Sequence, residues 1–314
     1  MIAECILTVF YTAVIAIADI LLACFGPIGR LPYRSSADVD DKTDDEIVGL
    51  CQTVPVDEWE SRRPPRLTPD VVVKPVPKMD GEVGWPAEAL AQDLIKNRTN
   101  IPVPPIRRVL NVDIDESFIV MDFIPGITLV AAWPTMGLWQ KLRIAFILRS
   151  YVRQLRSIMH PRSQIPGPVL DGEQPAKCYA SRIFGPVRPI KGPFPTSADL
   201  IRFFNKAMDR ATLAEGYPHW APLPDDGTLV YSHIDLALRN LILGEDGQLW
   251  LIDFATAGFY PTWFEYVNMV IDAKWEEGPE YDSIWWAIIP FVADPYFRTY
   301  KWISMVVPQY LGTA

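Results

Sequence analysis

The stretch "YSHIDLALRNLILGEDGQLWLIDF", residues 231–254, sets strand-forming apolar runs beside a few polar side chains. Gly, Glu, Asp and Gly at 244–247 are turn-forming residues between two apolar segments, which is the pattern of a β-hairpin. Such a hairpin would place the loop that holds Asp235 and Asn240 beside the loop that holds Asp253. The stretch therefore predicts two carboxylates and an amide at one end of a hairpin.

The spacing of these polar residues suits phosphoryl transfer from a nucleotide. That reaction depends on positioning and on electrostatic stabilisation of dispersed negative charge. Asp235 is the candidate catalytic base or hydroxyl-orienting group, and His233, two residues earlier, is the candidate support of the catalytic loop. Asn240 and Asp253, thirteen residues apart, offer the hard oxygen ligands that Mg²⁺ prefers.

Each of these residues also has a purely structural interpretation. His233 alone is typical of a satisfied core histidine, and Asp235 and Asn240 are both turn formers. Asp253 alone is compatible with a strand-end carboxylate paired to a lysine. The joint spacing favours the phosphoryl-transfer interpretation, because each role in that reaction finds a residue.

The chain before this stretch predicts a small sheet and one helix. The run "VVVK", residues 71–74, is typical of a strand that ends at Lys74, and residues 118–121 predict a second strand. Apolar residues recur at helical spacing over 87–95, after a proline suited to a first helical position. Glu88 lies at the edge of that apolar face, so it can turn inward toward the sheet.

The order of these pieces resembles the aminoglycoside-phosphotransferase-like kinases, in particular fungal members with unassigned substrates. The resemblance covers roughly residues 68–305. It rests on "VVVK", the helix with Glu88, "IPVPPI", "FIVMDFIPGITL", "GPFPT", "HIDLALRN" and "LIDFATAGFYPTWFEY". It implies an α+β, two-lobed, protein-kinase-like fold with a small β-rich N-terminal lobe and a larger, mainly helical C-terminal lobe.

The resemblance also implies where a nucleotide binds. In such kinases the strand lysine positions the phosphates and pairs with the helix glutamate, and the connection after "FIVM" meets the adenine through backbone groups. The cofactors implied are ATP and Mg²⁺, and the partner is a small molecule with a hydroxyl group. The nucleotide-binding residues implied are Lys74, Glu88, Met121, Asp122, Phe123 and Ile124.

Three departures from the family pattern concern the site. Ile234 stands where these kinases often have glycine and protein kinases have arginine, and Ala255 follows the Asp-Phe pair where protein kinases have glycine. Residues 50–73 contain no glycine, so no glycine-rich phosphate-covering loop is recognisable. Another loop covers the phosphates, nucleotide binding is weak, or the N-terminal lobe is truncated.

Composition and patterning divide the chain into four segments. Residues 161–195 hold eight prolines and predict a long surface loop, which suggests a functional insertion. The segments are a hydrophobic helix at 1–25, an acidic and proline-broken linker at 26–65, an N-terminal lobe at 66–125 and a C-terminal lobe at 126–314.

Residues 2–24 are apolar except for Glu4, Asp19 and a few hydroxyl groups, and they are long enough to span a bilayer as a helix. Asp19 is unfavourable in lipid, so a helix packed on the protein itself is an alternative. A wrongly predicted first exon is a third interpretation. Arg30 and Arg34 follow and favour a cytosolic C-terminal side. Because the segment matches no part of the resembled domain, we expect it to be dispensable for the kinase fold.

The overall composition excludes some partners. A net charge of −9 and a pI near 4.9 argue against nucleic-acid binding, which needs a basic face. The four cysteines show no paired spacing, so a metal cluster or disulfide framework is not expected. A reducing, cytoplasmic location follows, to which residues 2–24 could add a membrane anchor.

Three functions are compatible with these features. The first is an ATP- and Mg²⁺-dependent kinase that phosphorylates a hydroxyl group of a small molecule. The second is a catalytically weak or inactive kinase-like nucleotide-binding module, which the missing glycine-rich loop favours. The third is a protein kinase, which is disfavoured because no Ala-Pro-Glu segment follows Asp253 and "GFYPTWFEY" leaves little room for an activation loop.

Overall fold

The computed structural model shows an α+β protein in which a small antiparallel sheet adjoins a larger helical region. We call residues 66–125 the N-lobe and residues 126–306 the C-lobe. The structure describes residues 2–25, 31, 33, 38–55, 59, 64–78, 84–111, 116–171, 174–185, 189–215, 220–275 and 282–306.

The N-lobe is a four-stranded antiparallel sheet with one helix between its second and third strands, in the strand order β1-β2-β4-β3. The two strands predicted from the sequence are its central pair, in which Lys74 lies opposite Ile119. The elements are β1 (Arg66–Thr68), β2 (Val71–Pro77), α3 (Ala87–Arg98), β3 (Ile106–Asn111) and β4 (Glu116–Asp122).

The prediction of a linker over residues 26–65 is wrong for part of that range, because Asp44–Thr53 forms a helix, α2. Thr43 and Glu46 form a reciprocal capping box at its start, and the acidic run supplies the first turn, where negative charge is favourable. Ile47 and Cys51 are buried against the valines of β2. The acidic residues at 44–46 therefore form the first turn of a helix and are not part of a linker.

Among its described residues the C-lobe contains seven α-helices, two short 3₁₀ helices (Trp133–Thr135 and Leu238–Asn240) and three small antiparallel sheets, β10-β9-β5, β11-β8 and β6-β7. Its elements are β5 (Gly126–Thr128), α4 (Leu129–Ala132), α5 (Leu138–Arg156), β6 (Cys178–Tyr179), α6 (Ser181–Phe184), β7 (Ile190–Lys191), α7 (Ser197–Glu215), β8 (Leu229–Ser232), β9 (Leu241–Gly244), β10 (Leu249–Leu251), β11 (Gly258–Pro261), α8 (Phe264–Trp275), α9 (Ser283–Ala293) and α10 (Phe297–Val306).

The prediction of a surface loop over residues 161–195 is wrong in part. The segment contains β6, α6 and β7, and Cys178, Ile183 and Phe184 lie fully within the main core. Phe184 stacks on Phe204 of α7, so the many prolines connect short buried elements. Part of this segment therefore belongs to the core of the C-lobe, and the rest of its described residues lie at the surface.

The N-terminal helix α1 (Ile2–Phe25) packs on the C-lobe through one face. Ile15 and Ala18 belong to the main core, and the hydroxyl of Tyr11 donates to the carbonyl of Ala287 in α9 at 2.8 Å. Asp19 pairs with Arg149 of α5 at 2.8 Å. The expectation that this segment is dispensable for the fold conflicts with these contacts.

Residues Ala3–Cys24 of α1 are long and apolar enough to cross a membrane, with a mean hydropathy of 2.3. In the structure this helix lies against the C-lobe on one side, and its other side is exposed. Among the described residues all four cysteines are free.

Candidate functional site

The predicted hairpin is present and aligns the two loops of the site. β9 and β10 pair antiparallel, with Leu241 opposite Leu251, and the turn between them uses Gly247 at φ +76°. The N–H of Ile252 then donates to the carbonyl of Asn240 at 3.1 Å. The residue before Asp253 is therefore tied directly to the end of the loop that holds Asp235 and Asn240.

Asp235 and Asn240 are joined to each other within that loop. The Asn240 side-chain amide donates to the Asp235 Oδ2 at 2.7 Å and to the Asp235 carbonyl at 2.8 Å. The Asp235 Oδ1 accepts from Arg239 Nη2. Burial raises the pKa of Asp235, and this outweighs the opposing attraction of Arg239. A carboxylate with a raised pKa is a better proton acceptor.

His233 supports the loop from beneath. It is fully buried, its Nε2 lies 3.1 Å from the Ile252 carbonyl, and its Nδ1 accepts from the Asp235 N–H at 3.2 Å. These contacts fix the neutral ring with the proton on Nε2. Burial lowers the pKa of His233, in keeping with that neutral form. By accepting from the Asp235 N–H, His233 orients Asp235 through its backbone.

Two residues of the site have left-handed backbone conformations. Ile234 has φ +56° and Asp253 has φ +67°. A β-branched residue is rare at positive φ, and strain of this kind is concentrated at functional sites. This conformation gives a physical reason why glycine suits the position of Ile234 in the kinases that the sequence resembles.

Lys74 joins the two lobes at the site. Its Nζ lies 2.5 Å from Glu88 Oε1 and 2.9 Å from Asp253 Oδ1, so the predicted Lys74–Glu88 ion pair is present. The Glu88 carboxylate also accepts from the Phe254 N–H. One lysine of β2, one glutamate of α3 and the Asp253–Phe254 segment of the C-lobe therefore form a single cluster.

The electrostatics of this cluster follow from burial and opposite charge. Burial alone would lower the pKa of Lys74, but the charges of Glu88 and Asp253 raise it above its ordinary value. Burial raises the pKa of Asp253, but the charge and hydrogen bond of Lys74, with smaller contributions from His233 and Arg239, bring it below its ordinary value, so that carboxyl is held ionised. For Glu88 burial dominates and raises the pKa. Asp253 is thus the most firmly ionised carboxylate of the cluster.

The connection between the lobes has one backbone donor to offer a ligand. The N–H of Asp122 donates to the Pro105 carbonyl and that of Phe123 to the Asp70 carbonyl. The N–H of Ile124 has no hydrogen-bond partner within the described part of the chain. Met121 and the Asp122 side chain are buried, and Arg107 Nε lies 3.5 Å from Asp122 Oδ1.

A cavity of about 190 Å³ lies beside Asp235 and Asp253. Its wall also includes Arg182 of α6 and Arg239, which both bind the buried carboxylate of Asp272, at 2.8 Å and 2.7 Å. Arg239 thus bridges Asp235 and Asp272. The cavity is smaller than a typical site for a whole drug-sized ligand, so it fits the reacting end of one.

The donor set at Asp253 fits a magnesium ion bound together with nucleotide phosphates. Asp253 is ionised and partly exposed. The side-chain nitrogen of Asn240 donates to Asp235, so the side-chain oxygen of Asn240 is the atom that can bind a cation. Mg²⁺ commonly takes one or two protein oxygens and completes its shell with phosphates and water. Among the described residues no group of three or more His, Cys, Asp and Glu side chains could hold a metal by itself.

Sequence reasoning missed the arginine and aspartate cluster behind the catalytic loop. Arg239 stands immediately before Asn240 within the motif, so the motif itself was an available signal. Arg182 lies in the proline-rich segment that the sequence marked as functional, but nothing in its neighbours pointed to that residue. Asp272 lies on α8, and only the packing of that helix shows its role.

In the described part of the N-lobe, the turn between β1 and β2 is not a glycine-rich loop. β1 and β2 are joined by the turn at Pro69 and Asp70, which contains no glycine. Arg66 of β1 lies over the ring of Phe123, 3.6 Å from its centroid. Residues 56–58 and 60–63, which precede β1, lie outside the described part of the chain.

No protein-family model and no curated protein matches this chain. Solved structures that it resembles include aminoglycoside phosphotransferases. One is a GDP complex of an aminoglycoside 2'-phosphotransferase IIIa mutant, with 13% identity, a TM-score of 0.45 and coverage of 76% of this chain and 75% of that one. Another is aminoglycoside phosphotransferase APH(4)-Ia, with 14% identity, a TM-score of 0.45 and coverage of 83% and 89%. A thermostable mutant of APH(4)-Ia with ADP and hygromycin B has 15% identity, a TM-score of 0.41 and coverage of 68% and 72%.

Proposed function

We propose that this protein is an ATP- and Mg²⁺-dependent phosphotransferase that acts on a hydroxyl group of a small molecule. The observation that carries the proposal is the meeting of Lys74 with Asp253, beside a cavity that Asp235 and Asp253 share. Lys74 as the cation for the phosphates, Asp253 as the carboxylate for the metal and Asp235 as the candidate base therefore lie close to one another. Phosphoryl transfer needs these three groups and little else from the protein.

Each residue has a role that its surroundings support. Lys74, held by Glu88, would bind the nucleotide phosphates, and Ile124 would offer its N–H to the adenine. Asp253 and Asn240 would hold Mg²⁺, which when bound neutralises charge on the transferred phosphoryl group.

Asp235 would orient the acceptor hydroxyl and take its proton. A carboxylate has about four lone-pair sites, so Asp235 can accept from Arg239, Asn240 and the hydroxyl together. Its pKa, raised by burial, favours the proton transfer. His233 keeps Asp235 in place through the backbone contact.

The experiment is thermal unfolding of the protein with ATP, with and without Mg²⁺. We expect a rise in the unfolding midpoint that requires Mg²⁺, because a ligand that binds only the folded state stabilises it by mass action. The variant Asp253→Ala should lose the Mg²⁺-dependent part of the rise. The matched control Asp226→Ala changes an exposed aspartate and should keep it. Unchanged Mg²⁺-dependent stabilisation in Asp253→Ala would place the metal elsewhere.

A nucleotide-binding module without turnover is the second candidate. The absence of glycine between β1 and β2 and the contact of Arg239 with Asp235 both favour it. That function predicts the same stabilisation by ATP but no transfer of phosphate from bound ATP to any hydroxyl compound. Radiolabelled γ-phosphate, followed in a panel of polyols, sugars and amino alcohols, separates the two.

A further inference from the structure

The helix α1 turns its two charged residues, together with part of its apolar surface, toward the protein. Its outward side is apolar as well, whereas an ordinary surface helix is polar on that side. Asp19 accepts from Arg149 Nε at 3.0 Å and from Nη2 at 2.8 Å. Glu4 Oε1 lies 3.9 Å from Lys301 Nζ of α10. These are the only two charged residues in the helix, and both lie on its inner side.

The outer side forms one continuous stripe. At about 100° per residue its large apolar side chains fall within an arc of about 160°, and no charged residue falls within that arc. Phe10, Ile17 and Ile20 are 57%, 62% and 63% exposed. The stripe, which we call the outer face of α1, consists of Ile6, Leu7, Val9, Phe10, Ile17, Ile20 and Leu21.

The inner contacts oppose insertion of this helix across a bilayer while the C-lobe stays folded. The Arg149 side chain is only 5% exposed and is held between Asp19 and Asp294, which accept from it at 2.8 Å and 2.6 Å. A spanning helix would carry Asp19 into hydrocarbon and leave Arg149 without one of its partners, and both changes are unfavourable. The helix therefore remains on the C-lobe with its outer face available.

We propose that the outer face of α1 binds the surface of a zwitterionic lipid bilayer, with the helix parallel to the membrane plane. The 24-residue helix is about 36 Å long and presents an apolar stripe along its length. A helix that lies in the membrane interface buries its apolar face at the boundary of headgroups and acyl chains. In α1 the C-lobe covers the opposite side of the helix.

The charge distribution of α1 favours lipid over a protein partner, and the net charge of the chain favours zwitterionic over anionic lipid. The outer face has no charged side chain with which a protein could fix its register, and the hydroxyls of Thr8 and Thr12 both bond back to the helix. Lipid requires no such register. The net charge of −9 opposes the negative potential of an anionic membrane surface.

The test is flotation of the full-length protein with phosphatidylcholine vesicles in a density gradient. The double variant Phe10→Glu/Ile17→Glu should lower the vesicle-bound fraction at least tenfold, because each charge makes burial of the face unfavourable. The matched control is Met159→Glu/Leu213→Glu, which changes two side chains that are 77% and 87% exposed elsewhere on the C-lobe. The control should float like the parent, and both variants should keep the thermal unfolding midpoint of the parent within a few degrees.

Two further readouts separate this inference from its alternatives. Alkaline carbonate should release the bound protein, and protein that resists extraction would indicate a spanning helix and overturn the in-plane arrangement. Light scattering without lipid tests a second copy as the occupant. A dimer that Phe10→Glu/Ile17→Glu converts to a monomer, together with no flotation of the parent, would also overturn the proposal.

Discussion

Asp235 has both carboxylate oxygens engaged before any acceptor arrives, one by Arg239 and one by Asn240. We predict that Asp235→Asn lowers ATP turnover by a factor of about 10² to 10⁴, the usual contribution of a positioned general base. ATP affinity should stay nearly unchanged, because the phosphates are expected at Lys74. The measurement is ADP release in the presence of an acceptor, beside ATP titration by calorimetry. Equal turnover in Asp235→Asn and the parent would remove Asp235 from this role.

Lys74 should contribute more to nucleotide binding than to stability. We predict that Lys74→Ala raises the Kd for ATP about tenfold or more, or about 1.4 kcal/mol, through loss of the ammonium at the phosphates. Glu88→Ala should have the same effect to a smaller degree, because Glu88 only positions the lysine. Lys206→Ala, an exposed lysine on α7, is the control and should bind ATP like the parent. Unaltered ATP affinity in Lys74→Ala would support the inactive alternative.

His233 should make the protein sensitive to acid. Its folded-state pKa lies below the ordinary value of about 6.5 because it is buried, so below that pH the unfolded chain binds a proton that the folded chain does not. This contribution to stability is present at neutral pH and is lost as the pH falls below about 6.5.

We therefore predict that His233→Gln, although less stable at every pH, loses less of its free energy of unfolding than the parent between about pH 7.5 and about pH 5.5. Denaturant unfolding at the two pH values measures the difference. If the two proteins lose the same amount, the titration of His233 does not govern this range.

At the scale of elements, α2 is a helix in a segment whose composition suggests disorder, and a local capping signal explains why it forms. The Thr43 hydroxyl accepts from the Glu46 N–H at 3.3 Å, and Glu46 Oε2 accepts from the Thr43 N–H at 2.7 Å. A threonine followed by an acidic run caps the start of a helix, and the acidic residues are favourable in its first turn. Apolar contact with β2 then fixes the helix on the sheet.

The cap of α2 can be tested against a threonine at the other end of the same helix. We predict that Thr43→Ala lowers the free energy of unfolding by about 1 kcal/mol, because it removes the cap. Within the described part of the chain the Thr53 hydroxyl bonds back to the Leu50 carbonyl alone, so Thr53→Ala should lower the free energy of unfolding by a few tenths of that amount at most. Chemical denaturation of both variants gives the comparison. An equal effect at both positions would mean that the cap adds nothing to stability.

For the whole molecule, the main core crosses the boundary between the lobes. Ala91 and Ile95 of α3 belong to the same cluster as the C-lobe residues, and the Leu251 N–H donates to the Pro102 carbonyl at 2.9 Å. Lys74 and Glu88 add a polar link to the Asp253 segment. We expect the two lobes to unfold together.

The prediction is one cooperative thermal transition, with equal calorimetric and van 't Hoff enthalpies. Ile95→Ala should lower the free energy of unfolding by about 2 to 5 kcal/mol without splitting the transition, since Ile95 is fully buried in the shared core. Ile190→Ala, at a half-exposed position, should have a much smaller effect. Two separate transitions in the parent would show that the lobes are independent.

The sequence by itself determined the hairpin, the two central strands of the N-lobe, α3, and the residues that could carry phosphoryl transfer. Those features depend on local rules, namely turn residues, side-chain periodicity and fixed spacing within a motif, and such rules act over a few residues. The Lys74–Glu88 ion pair was predictable because an apolar face and a strand end constrain both side chains.

Only the tertiary structure decided the rest, because it depends on contacts between distant parts of the chain. The bridge from Arg239 to Asp272 spans 33 residues, and the pairing of Asp19 with Arg149 spans 130. The sequence shows an apolar helix with one aspartate near its end but not which side that aspartate faces. The fold turns Asp19 inward to a buried arginine and leaves the apolar face outside, since a charge is buried at low cost only where an opposite charge meets it.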